Sequence, residues 1–166
     1  MTTNLLTLLD QLSLPFPPSA ITWKPGAAKD NKCMAMAYAD LRAYQERLDE
    51  VCGLDWSVRY ASWGDSRIMC ELTICGVTRA STGEYDAQDA KNNMGGTVAE
   101  AQAFKRAAAT FGLGRYLYDL PSVWVEFDPA NKRITKAGND ELDNRYRAWF
   151  AKKIEAIKQS NMKVAA

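Results

Sequence analysis

The sequence predicts an α+β protein in which a three-stranded antiparallel β-meander packs with one signature helix, a β-β-β-α core. An extra N-terminal helix, a β-ribbon and a C-terminal helix complete it. Three observations carry this expectation. Apolar spacing switches from helical to strictly alternating at Trp56. A thin, alanine-rich helix follows the alternating stretch, with Ala101, Ala103, Ala107, Ala108 and Ala109 around Phe104. Finally, Leu142, Tyr146, Trp149, Phe150, Ile154 and Ile157 repeat at helical spacing near the end of the chain.

In order, Leu5, Leu8, Leu9 and Leu12 mark a helix over Asn4–Leu14, stopped by Pro15, Pro17 and Pro18. Ile21–Lys24 reads as a short extended stretch, and Pro25–Lys32 (PGAAKDNK) as a mobile polar loop. A helix is expected over Tyr38–Cys52, with Tyr38, Leu41, Leu48 and Cys52 on its apolar face and Gly53 as its left-handed cap. Trp56, Val58 and Tyr60 alternate with Ser57, Arg59 and Ala61. After a turn at Gly64 and Asp65, Ile68, Cys70, Leu72 and Ile74 line the second strand, and Val77–Tyr85 forms the third. The next helix is expected over Val98–Phe111. Thr97 and Glu100 stand at capping-box spacing, where each side chain satisfies an orphan backbone donor at the helix start. Phe104, Ala101, Ala108 and Phe111 share its buried face, and Gln102, Lys105, Arg106, Ala109 and Thr110 fill the other side. Gly112 and Gly114 end it. Val123, Val125 and Phe127 alternate into a turn at Asp128–Asn131, and Ile134 returns, which gives the ribbon. The last helix should run from about Asn139 to Gln159.

With 166 residues and 47% hydrophobic composition, one compact domain over 1–166 is expected, its core about 21–121 and its ribbon and last helix 122–160. Composition also bounds the chemistry. The chain has no histidine, which removes imidazole bases, Ser-His triads and zinc sites that need an imidazole ligand. Any enzyme here would work with carboxylates, Lys or Cys. Cys33, Cys52, Cys70 and Cys75 form no C-x-x-C pair and read as reduced structural thiols. No apolar run is long enough to span a bilayer and no signal peptide is visible, so a cytoplasmic protein without membrane contact is expected.

Charge totals are nearly balanced, 21 Lys plus Arg against 20 Asp plus Glu, a net +1. Their placement is uneven. Anions collect in Asp40–Asp55 and Glu84–Asp89, whereas Lys24, Lys105, Arg106 and Arg115 come from other segments, so a polarised surface is expected. Single-strand binders need cations along the phosphates and planar groups for the bases, and Lys105 and Arg106 are adjacent on one helix face.

The run GGTVAEAQAFKRAAATFGLGRYLYDLP, Gly95–Pro121, carries a K-R-A-x-x-x-F-G core followed by L-G. Upstream, Tyr38, Cys52-Gly53 and Trp56-Ser57-Val58 keep the order tyrosine, helix end, strand. Over about Ile21–Pro121 the chain resembles the Rad52 family of single-strand annealing proteins, in its bacterial and phage branch. The resemblance implies non-enzymatic, ATP-independent binding of single-stranded DNA and annealing of complementary strands, in recombination and double-strand break repair, with no cofactor. It implies a homo-oligomer, ring or filament, with a single-strand binding protein or an exonuclease as a possible further partner. By the same resemblance, an inner groove would use Lys105, Arg106, Lys24 and Tyr38. A second, outer DNA site would use Arg67 and, loosely, Lys91, and Arg59 on the same meander is grouped with the DNA-binding candidates. One departure stands out: the third cation of the family's helix falls at Ala109, a charge that Arg115 could replace. The alternatives are a metal-dependent nuclease built on Asp89-Ala90-Lys91, with Glu71, Glu84 or Asp86 as co-ligands, and a protein-interaction adaptor on the same scaffold.

Overall fold

The computed structural model describes residues 5–86, 91 and 94–164, with side chains from 7 to 160 of these. They group into two compact units: residues up to 14 with 40–119, and residues 15–39 with those from 120 onward.

The first unit holds the three-stranded meander and the alanine-rich helix, with two further helices ahead of them. Helix α1, Leu5–Leu12, buries Leu8 and Leu12. Arg47 holds its end, donating from Nη1 to the carbonyl oxygens of Leu14 (2.8 Å) and Gln11 (3.3 Å). Helix α2, Leu41–Cys52, buries Tyr44 and Leu48 and stops at Gly53, whose φ of 58° favours glycine. It starts three residues later than the expected Tyr38, because Asp40 is its N-cap and accepts from the Arg42 amide at 3.0 Å. Tyr38 therefore lies on a strand of the other unit and heads no helix.

Strands β3 (Trp56–Ser62), β4 (Arg67–Ile74) and β5 (Val77–Glu84) form the antiparallel meander in the order β3-β4-β5. Trp56 pairs with Ile74, Arg67 with Glu84 and Ile74 with Val77. Its apolar face presents Cys70, Leu72 and Ile74, all buried. Helix α3, Gly95–Thr110, lies on that face through Ala99, Ala103, Phe104, Ala107 and Ala108. Small residues bring the two backbones together: a Cβ at Gly83 would stand 2.0 Å from the Ala99 oxygen and 2.5 Å from the Ala103 nitrogen. The capping box is not used. The helix begins at Gly95, with Met94 ahead of it giving no side-chain cap, so Thr97 falls inside the first turn. Close packing of Gly95 on the Tyr85 ring, where a Cβ would come within 2.8 Å, sets the entry instead.

In the second unit, β1 (Ile21–Lys29), β2 (Lys32–Ala39), β6 (Val123–Asp128) and β7 (Arg133–Ile134) form one antiparallel sheet in the order β1-β2-β6-β7. The expected polar loop at Pro25–Lys32 is thus mostly strand. Only Asp30 and Asn31 separate β1 from β2, with Asp30 at a φ of 53°. Pro25 and Gly26 fall at a register shift on the edge strand, where a missing amide donor is tolerated. Helix α4, Lys136–Val164, packs Leu142 into a cluster with Cys33, Ala35, Val125, Phe127 and Ile134. Trp23 Nε1 donates to Asp143 Oδ1 at 2.9 Å, and the Tyr146 hydroxyl donates to the Phe16 carbonyl at 2.8 Å. Cys33 and Cys70 are the buried thiols, Cys52 is half-buried, and Cys75 is exposed in the β4–β5 turn. Among the described residues no helix is long and apolar enough to cross a membrane.

Candidate nucleic-acid interface

Helix α3 runs antiparallel to β5, and its polar side chains close the open edge of that strand. Gln102 Oε1 accepts from the Glu84 amide at 2.8 Å, and one turn on, Arg106 Nη1 donates to the Thr82 carbonyl at 3.0 Å. A further turn on, Arg79 Nη1 on β5 donates to the Thr110 carbonyl. Satisfying an edge strand in this way removes a template for unwanted strand pairing. It also means that Lys105 and Arg106 are half-buried, not on a fully solvated face. The guanidinium of Arg106 is aimed by its bond to Thr82, which fixes where its charge is presented.

The end of α3 gathers more charge. Arg115 follows the left-handed Gly114 (φ 71°) and folds back, donating from Nε to the Ala109 carbonyl and from Nη2 to the Thr110 carbonyl, both at 2.7 Å. Its guanidinium therefore sits beside Ala109, the position lacking the expected cation. Arg79 lies over the Phe111 ring, 4.6 Å from its centroid. Among the described residues, none of Arg79, Arg106 and Arg115 forms an ion pair with a carboxylate. The Lys105 ammonium lies 6.0 Å from the ring centroid of Tyr44, which is itself pressed against Gly114.

In the second unit, the Lys24 ammonium stands 3.6 Å over the Tyr38 ring, a cation–π contact across the β1–β2 hairpin. Cross-strand partners share a sheet face, so Thr22, Lys24, Met36, Tyr38, Met34 and Trp124 point to one side, opposite the Cys33–Val125 core. Trp124 is 48% exposed there and Met36 equally so. The sequence signal for Trp124 is its place as the outward residue between inward Val123 and Val125.

The outer-site candidates have a different setting. Arg67 lies 3.1 Å from Glu84, and Arg59 lies 3.6 Å from Glu71, each across a strand pair on the sheet face away from α3. Their charges are locally balanced, although exposed pairs of this kind hold by only about 0–1 kcal/mol. Trp63, 54% exposed, pairs with Arg67 at the hairpin tip, where its amide donates to the Arg67 carbonyl at 2.9 Å. Lys91 is exposed and helical. Asp89 and Ala90 of the D-x-K motif lie outside the described residues. Of the proposed co-ligands, Glu71 and Glu84 face these two arginines.

Comparison with known proteins fits this arrangement to a family. Residues 4–135 match the Rad52/22 family of double-strand break repair proteins. The chain belongs to this family. Two curated relatives are each named single-stranded DNA-binding protein DdrA. That of Deinococcus radiodurans is 39% identical over 128 residues, covering 74% of this chain and 60% of the relative. That of Deinococcus deserti is 40% identical over 129 residues, covering 74% and 62%. The chain thus spans about 60% of the length of these curated relatives. No solved structure matches. Within the matched region, Lys105 and Arg106 lie on α3 and the left-handed Gly114 leads into Arg115. Arg79 is the cation that sequence reading missed.

Proposed function

We propose that the chain binds single-stranded DNA and anneals complementary strands in recombination and double-strand break repair, without ATP and without catalysis. The observation that carries this reading is the strip of guanidiniums along α3 that no described carboxylate neutralises. Backbone carbonyls hold these arginines in place, so their charge is left for an external anion, and a phosphodiester backbone supplies anions at regular intervals. Lys105 and Arg106 contact phosphates in this reading. Lys24, Tyr38 and Trp124 offer a cation and planar surfaces on which bases stack, each stacked base adding about 1–3 kcal/mol. A protein that grips phosphates and ring faces leaves Watson–Crick edges available to a second strand, which is what annealing requires. Arg67, Arg59 and Lys91 form the second strand's site, with phosphates displacing Glu84 and Glu71 from their exposed pairs.

Single-strand affinity per subunit is small when only a few phosphates are engaged. A homo-oligomer, closed ring or open filament, places many such grooves along one strand and multiplies the effect. The work is cytoplasmic, and a single-strand binding protein or an exonuclease would supply the strands.

The test is fluorescence anisotropy with a labelled oligonucleotide, comparing the wild type with Lys105→Gln/Arg106→Gln. Glutamine keeps a donor toward Thr82, so the fold is preserved, which a melting curve checks. The double variant should lose at least tenfold in affinity, and its salt slope should fall by about 1.4, at about 0.7 per phosphate. Equal affinity in a folded variant refutes the groove. Strand shortening in Mg²⁺ would favour the nuclease, and no strand affinity at all would favour the adaptor.

A further inference from the structure

Two guanidiniums converge on one carbonyl at the end of α3. Arg79 and Arg115 both donate to the Thr110 oxygen. Donors sharing one acceptor lie no more than about 6 Å apart, so two positive charges are held close together. One arginine is enough to satisfy the last carbonyls of a helix and to offset its dipole, and Arg115 already does both through Ala109 and Thr110. The second charge is not needed for capping, and it is unfavourable beside the first. By contrast, Arg47, Arg59, Arg67 and Arg145 each lie within 4 Å of a carboxylate. At Thr110 the compensating anion is not supplied by the described residues.

We infer that Arg79 and Arg115 form a paired-guanidinium site for a phosphodiester, continuing the strand path from Arg106 toward the end of α3. Both side chains are exposed, and both are fixed by hydrogen bonds to backbone, so little ordering is left for binding to accomplish. The Phe111 ring beneath Arg79 adds a second restraint. Thr110 stands one helical turn, about 6 Å, beyond Arg106, so the pair is placed to take a phosphate next to the one held by Arg106. Guanidinium suits the task because its planar fork presents parallel donors to two phosphate oxygens, which an ammonium cannot match. The pair also answers the departure at Ala109: the family's charge on the helix is replaced from outside the helix, by one arginine after it and one from β5.

This inference rests on the single-strand binding reading, and one experiment separates the two. Anisotropy titrations with the same oligonucleotide at several salt concentrations are run on the wild type, Arg79→Gln, Arg79→Lys and the surface control Arg145→Gln. Arg79→Gln should weaken binding and lower the salt slope by about 0.7, Arg79→Lys should restore most of the slope, and Arg145→Gln should behave as wild type. A merely structural Arg79 would change the melting temperature and leave the slope alone, which overturns the inference. Arg115→Gln repeats the measurement if Arg79→Gln does not fold, and a normal slope there also overturns it. A wild type without strand affinity refutes both readings, whereas a wild type that binds alongside an unchanged Arg79→Gln refutes only this one. If inorganic phosphate alone raises the melting temperature in an Arg79-dependent way while the strand slope is unchanged, the pair serves a free anion and the inference fails.

Discussion

Substituting Gly83 by alanine tests whether α3 really lies directly on the backbone of β5. The added Cβ would meet the Ala99 oxygen at 2.0 Å, about 1.4 Å inside the distance of 3.4 Å at which ordinary contact begins, and the Ala103 nitrogen at 2.5 Å. Both obstructing atoms are backbone, so no side-chain rotation relieves the clash and the helix must lift. A gap of 0.5–1 Å already forfeits about a quarter to a half of a dispersion well. The lifted face carries Ala99, Ala103, Phe104, Ala107 and Ala108, all buried, and Phe104 also loses its edge contact with Trp56. Burial of a phenylalanine alone contributes about 1.5–3 kcal/mol, so the loss should reach about 3 kcal/mol or more. With a urea m-value of about 2 kcal/mol/M, the unfolding midpoint should fall by about 1.5 M. Gly96→Ala is the matched control. Nothing lies within 4 Å of its added Cβ, so it should be neutral or stabilising by up to about 1 kcal/mol. A Gly83→Ala midpoint within about 0.3 M of wild type would refute the close approach.

Further outcomes follow from single contacts. Arg47→Ala should cost about 2 kcal/mol in urea unfolding, because its side chain, 13% exposed, satisfies carbonyls at the end of α1. Burial, with smaller contributions from Glu100 and Glu71, pushes the Cys70 thiol up to about 12 from an ordinary value near 9. Its folded value lies above the unfolded one, so the associated stability is complete below about pH 9 and is lost as pH rises toward 12. The fall in melting temperature between pH 8 and 10.5 should therefore be smaller in Cys70→Ala than in wild type. In a thiol-labelling time course on the native protein, Cys75 should react first and the buried Cys33 and Cys70 last.

The meander and its helix were legible because β3 and β4 alternate apolar residues with polar ones, and because α3 puts Ala99, Ala103, Ala107, Ala108 and Phe104 on one side. The β1–β2 hairpin was not. In β2, Cys33, Ala35, Ala37 and Ala39 on one face alternate with Met34, Met36 and Tyr38 on the other, so both faces are apolar and no period of two shows. Pro25 and Gly26 hide β1 in the same way, by supplying turn residues at a register shift. Asp40 then competes successfully with Tyr38 as the start of α2, since a capping carboxylate marks a helix start better than an apolar residue does.

Local pattern singles out Lys105 and Arg106 as candidates, because they share a motif, but it gives no reason to single out Arg79. That arginine sits in a mostly polar strand and meets Thr110 across 31 residues of sequence, which only the packing of α3 reveals. Nor could the sequence show that Arg67 and Arg59 face Glu84 and Glu71, because those pairs depend on strand register. Arg59 and Arg67 on the meander's open face lie against carboxylates, while Arg79, Arg106 and Arg115 along α3 are held by carbonyls and meet no carboxylate among the described residues.

The most direct test of the central claim is the pairing of two complementary labelled strands by the wild-type chain in EDTA, followed by energy transfer. Annealing through phosphate and ring-face contacts predicts pairing faster than the spontaneous rate, with both strands recovered at full length and the acceleration lost in Lys105→Gln/Arg106→Gln. Pairing at the spontaneous rate, or acceleration that the double variant retains in full, would contradict the account.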